Sequence, residues 1–391
     1  MRSFINFLPL LPAVFAGPLV IKPERIPGSW IFKVHKDSVL ETVIQDVSVL
    51  FPNIKPTHTY SFGDFKGFCL DGVPSTTGLQ KRIDGIEFIE ANTQVYATAL
   101  TTQVGATWGL GRISHRNRGN NNYVYDLTAG QGSFAYVIDT GIRTTHNDFQ
   151  GRAVWGNNFA GDKIDTDANG HGTHVAGTIG SRTYGVAKRT TLVAVKVLDA
   201  TGSGSLSNVI AGIQWAIQNA TDSGRIGRAV ANLSLGGPTT SSATNAAVAE
   251  AVRAGLFVAV AAGNDAQSAS LTSPASEPTV CTVGATDRND VFASFSNYGS
   301  LVDILAPGVD IMSTWYTTDN ATAVLSGTSM ATPHVAGLGA YLLTLEGPRT
   351  PEALCQRIKA LSTKNKVTFR VTQWLARATT NNTLAYNGNG S

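Results

Sequence analysis

The sequence predicts an α/β fold: a mostly parallel sheet with helices on both faces, preceded by a small α+β segment. Two observations carry this reading. From residue 109 onward, short and near-continuously apolar runs alternate with helical patterns, as expected of strands buried on both faces and joined by helical crossovers. Ahead of them, residues 28–96 form a compact strand, helix, hairpin and strand pattern of their own. A length of 391 residues allows two domains plus a targeting segment.

The chain starts Met1-Arg2, followed by an apolar run from Phe4 to Phe15 and by Ala16-Gly17. A basic start, a short apolar stretch and small residues at a cleavage point predict a secretory signal peptide over residues 1–16. Pro9 and Pro12 break a long helix, and the run is shorter than the roughly 20 apolar residues of a membrane span. In the next segment, Trp30 to Val34 reads as a strand. Ser38 with Glu41 forms a capping-box signature, after which Val39, Leu40, Val43, Ile44, Val47, Leu50 and Phe51 recur at helical spacing. Residues 57–70 fold as a hairpin around a Gly63-Asp64 turn, and Ile86 to Glu90 supplies a last strand. In the larger segment, strands are expected at 134–138, 192–198, 229–235, 256–262, 280–283 and 302–305. Helices are expected at 205–220 and 241–254.

Composition narrows the function classes. A net charge of +3 is too small to argue for nucleic acid or an anionic membrane as partner. Three cysteines leave at least one unpaired. If Cys69 belongs to a removed segment, Cys281 and Cys355 remain, either as a disulfide in an oxidising compartment or as two buried thiols. Sequons at Asn219, Asn320, Asn381 and Asn389 are candidate glycan sites. Asn232 is a fifth, placed in an apolar strand pattern that withholds it from a glycosylating enzyme.

Three distant motifs carry chemistry: Asp139-Thr140-Gly141, His171-Gly172-Thr173-His174 and Gly327-Thr328-Ser329-Met330-Ala331. They supply an acid, a base and a nucleophile in the order Asp, His, Ser, each among small residues that let a substrate backbone approach. Asp139 follows Tyr136-Val137-Ile138, so it sits at the carboxyl end of a strand, where chemistry gathers in open α/β sheets. His171 opens a loop-to-helix entry and is the candidate general base, oriented by Asp139. His174 falls on the following helix and is expected to be structural. The pair of histidines lacks the His-Glu-x-x-His arrangement of a zinc site. Ser329 opens a helix, with Pro333 expected in the first turn, so backbone N–H groups and the positive dipole end face the developing negative charge.

On these motifs the chain resembles the subtilases, most closely their secreted fungal proteinase K-like branch. The resemblance implies a serine endopeptidase working through an acyl-enzyme, with Asn264, in Ala261-Ala262-Gly263-Asn264, donating to the oxyanion. It implies that Ser234, Leu235, Gly236 and Gly237 pair with an extended peptide, whereas Ala261, Ala262 and Gly263 line an apolar primary pocket. It implies one structural calcium ion on the carbonyls of Pro278 and Val280 and the carboxylate of Asp303. A second, weaker ion is not expected, because Lys366 falls near its aspartate. Cys281 and Cys355 match one disulfide of the branch, while Phe134 stands at a position of the other. Val175 replaces a cysteine found beside the histidine, and residues 365–377 match poorly.

By the same resemblance, residues 17–100 are an inhibitory and folding-assisting propeptide and residues 101–391 the peptidase domain. The cut is expected near Leu100–Thr101. Tyr96 to Leu100 are apolar or small, which implies self-cleavage and a preference for an apolar residue before the scissile bond. The expected product is a secreted monomer whose partners are protein substrates and its own propeptide. Two competing readings are weighed. Acid-active serine-carboxyl peptidases of similar fold carry a glutamate where His171 stands. A degenerate, peptide-binding relative is expected to lack a triad member, and this chain keeps Asp139, His171 and Ser329.

Overall fold

The structure is a computed structural model and describes residues 25–93, 100–237 and 239–389. The proposed signal peptide and residues 96–99 of the expected cleavage segment lie outside the described residues. The chain divides into two compact units, residues 1–97 and 98–391.

The first unit contains strand β1 (Arg25–Val34), helix α1 (Leu40–Leu50), and strands β2 (Pro56–Phe62), β3 (Phe65–Leu70) and β4 (Ile86–Thr93). The strands form an antiparallel sheet in the order β2-β3-β1-β4. Alternation along β1 and β3 sends Phe32 and Phe68 to one face, where their rings stack 4.8 Å apart. Helix α1 adds Leu40, Val43 and Val47 to that core, the i, i+3, i+7 stripe of an amphipathic helix. The β2–β3 hairpin turns at Gly63, whose φ of +52° suits a residue without a Cβ. The Ser38–Glu41 capping box does not form. The cap residue is Val39, with no side-chain bond, because Ser38 is drawn into the preceding turn by its N–H bond to His35 O.

The second unit opens with β5 (Leu100–Gln103), α2 (Trp108–Ser114) and β6 (Tyr123–Asp126), β5 and β6 pairing antiparallel. Its main strands are β7 (Phe134–Asp139), β8 (Ala153–Asn158), β9 (Thr191–Lys196), β10 (Ala229–Leu233), β11 (Phe257–Ala261), β12 (Cys281–Thr286) and β13 (Ile304–Pro307). A hairpin, β14 (Ile311–Thr314) and β15 (Thr322–Leu325), follows, and the short β16 (Thr363–Lys364) and β17 (Thr383–Leu384) finish the set. Nine strands make one sheet in the order β16-β17-β13-β12-β11-β10-β7-β9-β8. Neighbours run parallel except β16 and β17. From β7 the chain builds outward in one direction through β9 and β8, and in the other through β10 to β13. The crevice between β7 and β10 is therefore the topological switch point, where open α/β sheets bind ligands.

Helices cover both faces, as expected. Along β7, Tyr136 and Ile138 face Val209 and Ile213 of α4 (Leu206–Asp222) and Val248 of α5 (Ser242–Arg253). Ala135 and Val137 face the opposite layer of α3 (His171–Gly180), α6 (Thr328–Glu346) and α7 (Pro351–Leu361). The period of two along the strand thus feeds two cores. Close packing of α3 and α6 needs Gly337, since a Cβ there would meet Val186 Cβ at 2.7 Å and Ile179 O at 3.1 Å.

The sequence pattern left β8, α7 and the β14–β15 hairpin unrecognised. Residues 365–377 form a strap ending in α8 (Trp374–Thr379). Asn382 pins it through both backbone groups of Val367, at 3.0 and 2.7 Å, and Phe369 stacks on Phe292 at 5.0 Å. Among the described residues, no helix is long and apolar enough to cross a membrane.

Candidate active site

Asp139 ends β7 with its side chain fully buried. Its Oδ1 accepts the Thr140 N–H at 2.7 Å and the His171 Nδ1–H at 2.8 Å. Donation from Nδ1 leaves Nε2 unprotonated in the neutral ring, the tautomer a general base requires. Asp139 Oδ2 has no hydrogen-bond partner among the described residues, so the carboxylate charge acts mainly on the imidazole. Burial alone depresses the His171 pKa, but the adjacent Asp139, helped by Asp167, outweighs it and raises it above the ordinary histidine value. The ring keeps 26 % of its surface exposed.

A residue the sequence did not single out fixes this arrangement. Asp167 is buried, and its carboxylate accepts five hydrogen bonds. Oδ1 takes Thr140 Oγ1–H at 2.9 Å, Asn169 N–H at 2.9 Å and Gly170 N–H at 2.8 Å. Oδ2 takes Thr173 N–H at 2.9 Å and Thr173 Oγ1–H at 2.6 Å. It therefore gathers the first turn of α3, from which His171 projects, and ties it to Thr140 beside Asp139. Gly172 N–H completes the link, donating to Thr140 Oγ1 at 2.9 Å. The only local signal was an aspartate shortly before a helix start, and Asp162 and Asp165 share that description.

Ser329 lies in the first turn of α6. Its hydroxyl donates to Ser234 O at 3.0 Å, while the Ser234 hydroxyl donates to Ser329 O at 2.8 Å. Pro333 falls in the second turn rather than the first, because the helix already starts at Thr328. Its missing N–H is the one that would bond Ser329 O, which leaves that carbonyl for Ser234. Ser234, which holds the Ser329 hydroxyl, and His171 line the same cleft, of about 680 Å³.

Asn264 follows β11. Its Oδ1 accepts Thr328 N–H at 2.8 Å and Thr328 Oγ1–H at 2.9 Å. With the oxygen committed, Nδ2 is the free donor end. A point one Cβ length from Gly327 lies 3.6 Å from Ser329 N and 3.7 Å from Asn264 Nδ2. Two N–H donors thus flank the same backbone at the positive end of α6, a geometry suited to an oxyanion.

The expected peptide-binding residues divide. Leu235 and Gly236 line the cleft with Ser234. Gly237 lines it too, but its N–H is already taken by Ser273 O at 3.1 Å, so it is not a free edge group. Ala261 ends β11 and Gly263 N–H donates to Thr328 Oγ1 at 3.2 Å, beside Ser329. Ala262 departs from expectation: its side chain is wholly buried in a cluster with Ala269, Ala275 and Val302. It belongs to the core because strand alternation turns it away from its neighbours. His174 is structural: Nε2–H donates to Ile311 O at 2.9 Å, and burial pushes its pKa down to about 4.

Cys281 and Cys355 form a disulfide, with Cα atoms 5.8 Å apart, and Cys69 is a buried free thiol. The calcium set does not fit a divalent ion as it stands. Asp303 is its sole charged ligand, and its Oδ1 already pairs with Lys359 Nζ at 2.8 Å while Oδ2 accepts Thr282 N–H at 3.0 Å. Among the sequons, Asn320 and Asn381 are exposed. Asn219 Oδ1 is held by Tyr136 OH at 2.7 Å and Arg225 Nη1 at 2.9 Å. The Asn389 amide, whose nitrogen a glycan would take, donates to Tyr341 OH at 2.6 Å.

A parallel sheet with an Asp–His pair at its switch point and a serine in the first turn of a helix suit a hydrolase, and sequence comparison fixes the family. The peptidase S8 model, described as the subtilase family, matches residues 130–388. The chain belongs to this family and is a subtilisin-like serine protease acting on protein substrates. It is 55 % identical to a subtilisin-like protease of Coccidioides posadasii, over 93 % of this chain and 86 % of that one. It is 54 % identical to proteinase T of Parengyodontium album, over 78 % of this chain and all of that one. The crystal structure of a cold adapted subtilisin-like serine proteinase superposes with a TM-score of 0.67 at 46 % identity, covering 72 % of this chain and 98 % of the other. Structural calcium is typical of the family.

Proposed function

We propose that the chain is a secreted endopeptidase that cuts proteins through Asp139, His171 and Ser329 and matures by removing its own first unit. The observation that carries this reading is the Asp139–His171 bond at 2.8 Å, made by the nitrogen that leaves Nε2 free to take a proton. For attack, the Ser329 hydroxyl turns from Ser234 O to His171 Nε2, a contact that tightens when substrate is bound. The serine oxygen adds to the peptide carbonyl as its proton passes to Nε2. The charge that forms on the carbonyl oxygen is met by Ser329 N–H and Asn264 Nδ2. The imidazolium, stabilised by Asp139, then protonates the leaving amine. Water repeats the sequence on the acyl-enzyme.

Ser234, Leu235 and Gly236 offer an edge for an extended peptide, with main-chain pairing giving breadth and side pockets giving preference. Ala261 and Gly263 bound a primary pocket that takes an apolar residue. The expected maturation site, Leu100–Thr101, presents such a residue, and Leu100 is more than half exposed. Residues 17–100 act as the intramolecular inhibitor, residues 101–391 remain as a monomeric enzyme, and Asn320 and Asn381 carry glycans. No calcium ion is assigned to Pro278, Val280 and Asp303, because the Asp303 carboxylate is engaged by Lys359 and Thr282.

The test is peptide release from a protein substrate at neutral pH by purified secreted chain, beside Ser329→Ala. Cleavage by the wild type alone, with the mature chain starting near Thr101, is expected. Equal activity in Ser329→Ala rejects the nucleophile. A mature chain starting near Gly17 rejects self-processing while leaving the peptidase reading intact.

A further inference from the structure

Asp303 lies just before β13, and each of its carboxylate oxygens has a partner. Thr282 N–H, on β12, donates to Oδ2 at 3.0 Å, and the Lys359 ammonium meets Oδ1 at 2.8 Å. Lys359 is in the last turn of α7. That helix is bonded to the start of β12 through Cys355 and Cys281, whose sulfurs lie within 4.8 Å of an Asp303 oxygen. The disulfide therefore holds the lysine's helix beside the carboxylate. The Lys359 carbonyl in turn accepts from Lys364 Nζ. The carboxylate thus has one ammonium and one backbone N–H within hydrogen-bond reach. Calcium draws on six to eight oxygen ligands and on their negative charge, and here the negative charge is already balanced from within the chain.

We propose that Lys359 is a built-in cation: its ammonium takes the place of the calcium ion otherwise expected at Pro278, Val280 and Asp303. An ammonium can do this because it is a compact charge with three donors on a flexible stem. It ties the end of α7 to the approach of β13, the job a bridging ion performs, but with no binding equilibrium. Stability at this corner is then independent of calcium concentration, whereas a bound ion stabilises by mass action. Removing the lysine side chain frees Asp303 Oδ1 and should create calcium dependence.

The experiment measures melting temperature in EDTA and in excess Ca²⁺, on protein blocked with a fluorophosphonate to prevent self-digestion. Four proteins are compared: the chain itself, Lys359→Met, Asp303→Asn and the double variant. The chain and Asp303→Asn should respond to calcium alike, within about 1 °C. Lys359→Met should melt lower in EDTA and regain about 5 °C with calcium at 100-fold its dissociation constant; the double variant should regain nothing beyond Asp303→Asn. A calcium response in the chain that Asp303→Asn abolishes overturns the proposal, because the ion then binds despite the lysine. So does a Lys359→Met protein indifferent to calcium. If Lys359→Met fails to fold, comparison of the chain with Asp303→Asn still decides.

Discussion

Replacing Asp167 with Asn should damage both the stability of the catalytic unit and the chemistry of His171, although Asp167 is no candidate for touching substrate. The side chain is 3 % exposed, and its two oxygens take three backbone N–H groups and two hydroxyls. An amide oxygen can keep the Oδ1 partners, but the new NH₂ then faces Thr173 N–H. Stranding that buried donor costs about 1–3 kcal/mol, and weakening the bonds to Asn169 and Gly170 from charged to neutral acceptor adds about 1 kcal/mol each. The sum is about 4 kcal/mol, which for a unit of this size lowers the melting temperature by about 8 °C.

The electrostatic consequence has a definite sign. Asp167 contributes negative charge that raises the His171 pKa, so its loss lowers that pKa. The acid limb of kcat/KM should move to lower pH, while kcat at the plateau falls at least about tenfold as the first turn of α3 loosens. Thermal melting of the fluorophosphonate-blocked protein and a pH–rate profile of the active one read the two effects. A melting point within about 1 °C of wild type, together with an unmoved acid limb, would refute the reasoning.

Three further outcomes follow from the same geometry. Asn264→Ala should fold normally and lose about 10²–10³ in turnover, a range known from removing such a donor in a subtilisin; near-normal kcat removes Asn264 from the oxyanion site. The wild-type acid limb should have its midpoint above the ordinary histidine value of about 6.5, since Asp139 raises the pKa of a base that works only when neutral. Activity is then lost as pH falls through that midpoint, and a midpoint below the ordinary value contradicts the raised pKa. Reducing Cys281–Cys355, which are 74 residues apart, should cost about 4 kcal/mol on the loop-closure relation, read as a lower melting temperature with dithiothreitol; an unchanged value shows that the bond does not limit the unfolded chain.

The parts of this site legible in the sequence are those whose geometry is set locally. Asp139 could be placed because an apolar strand runs straight into it, and Ser329 because glycine precedes it and a helical pattern follows. His174 could be assigned to the structure because an offset of three carries it into the helix that follows the loop-to-helix entry of His171. Asp167 was hidden because Asp162, Asp165 and Asp167 look alike in a loop, and only tertiary packing decides which is buried and surrounded by donors. Lys359 was hidden for the same reason at longer range: 56 residues separate it from Asp303, and its helix had not been recognised. Pro333 was placed in the first turn but lies in the second, where its missing N–H frees Ser329 O for Ser234. Ser38 had the right sequence for a cap and lost the role to a turn.

The central claim is that Asp139 and His171 activate Ser329, and covalent labelling tests it most directly. A fluorophosphonate probe followed by peptide mass mapping should modify Ser329 in the wild type. The rate should collapse in His171→Ala and in Asp139→Asn, with both variants still folded by circular dichroism. Labelling of Ser329 at an unchanged rate without His171, or no labelling of the folded, mature wild type, would contradict the account.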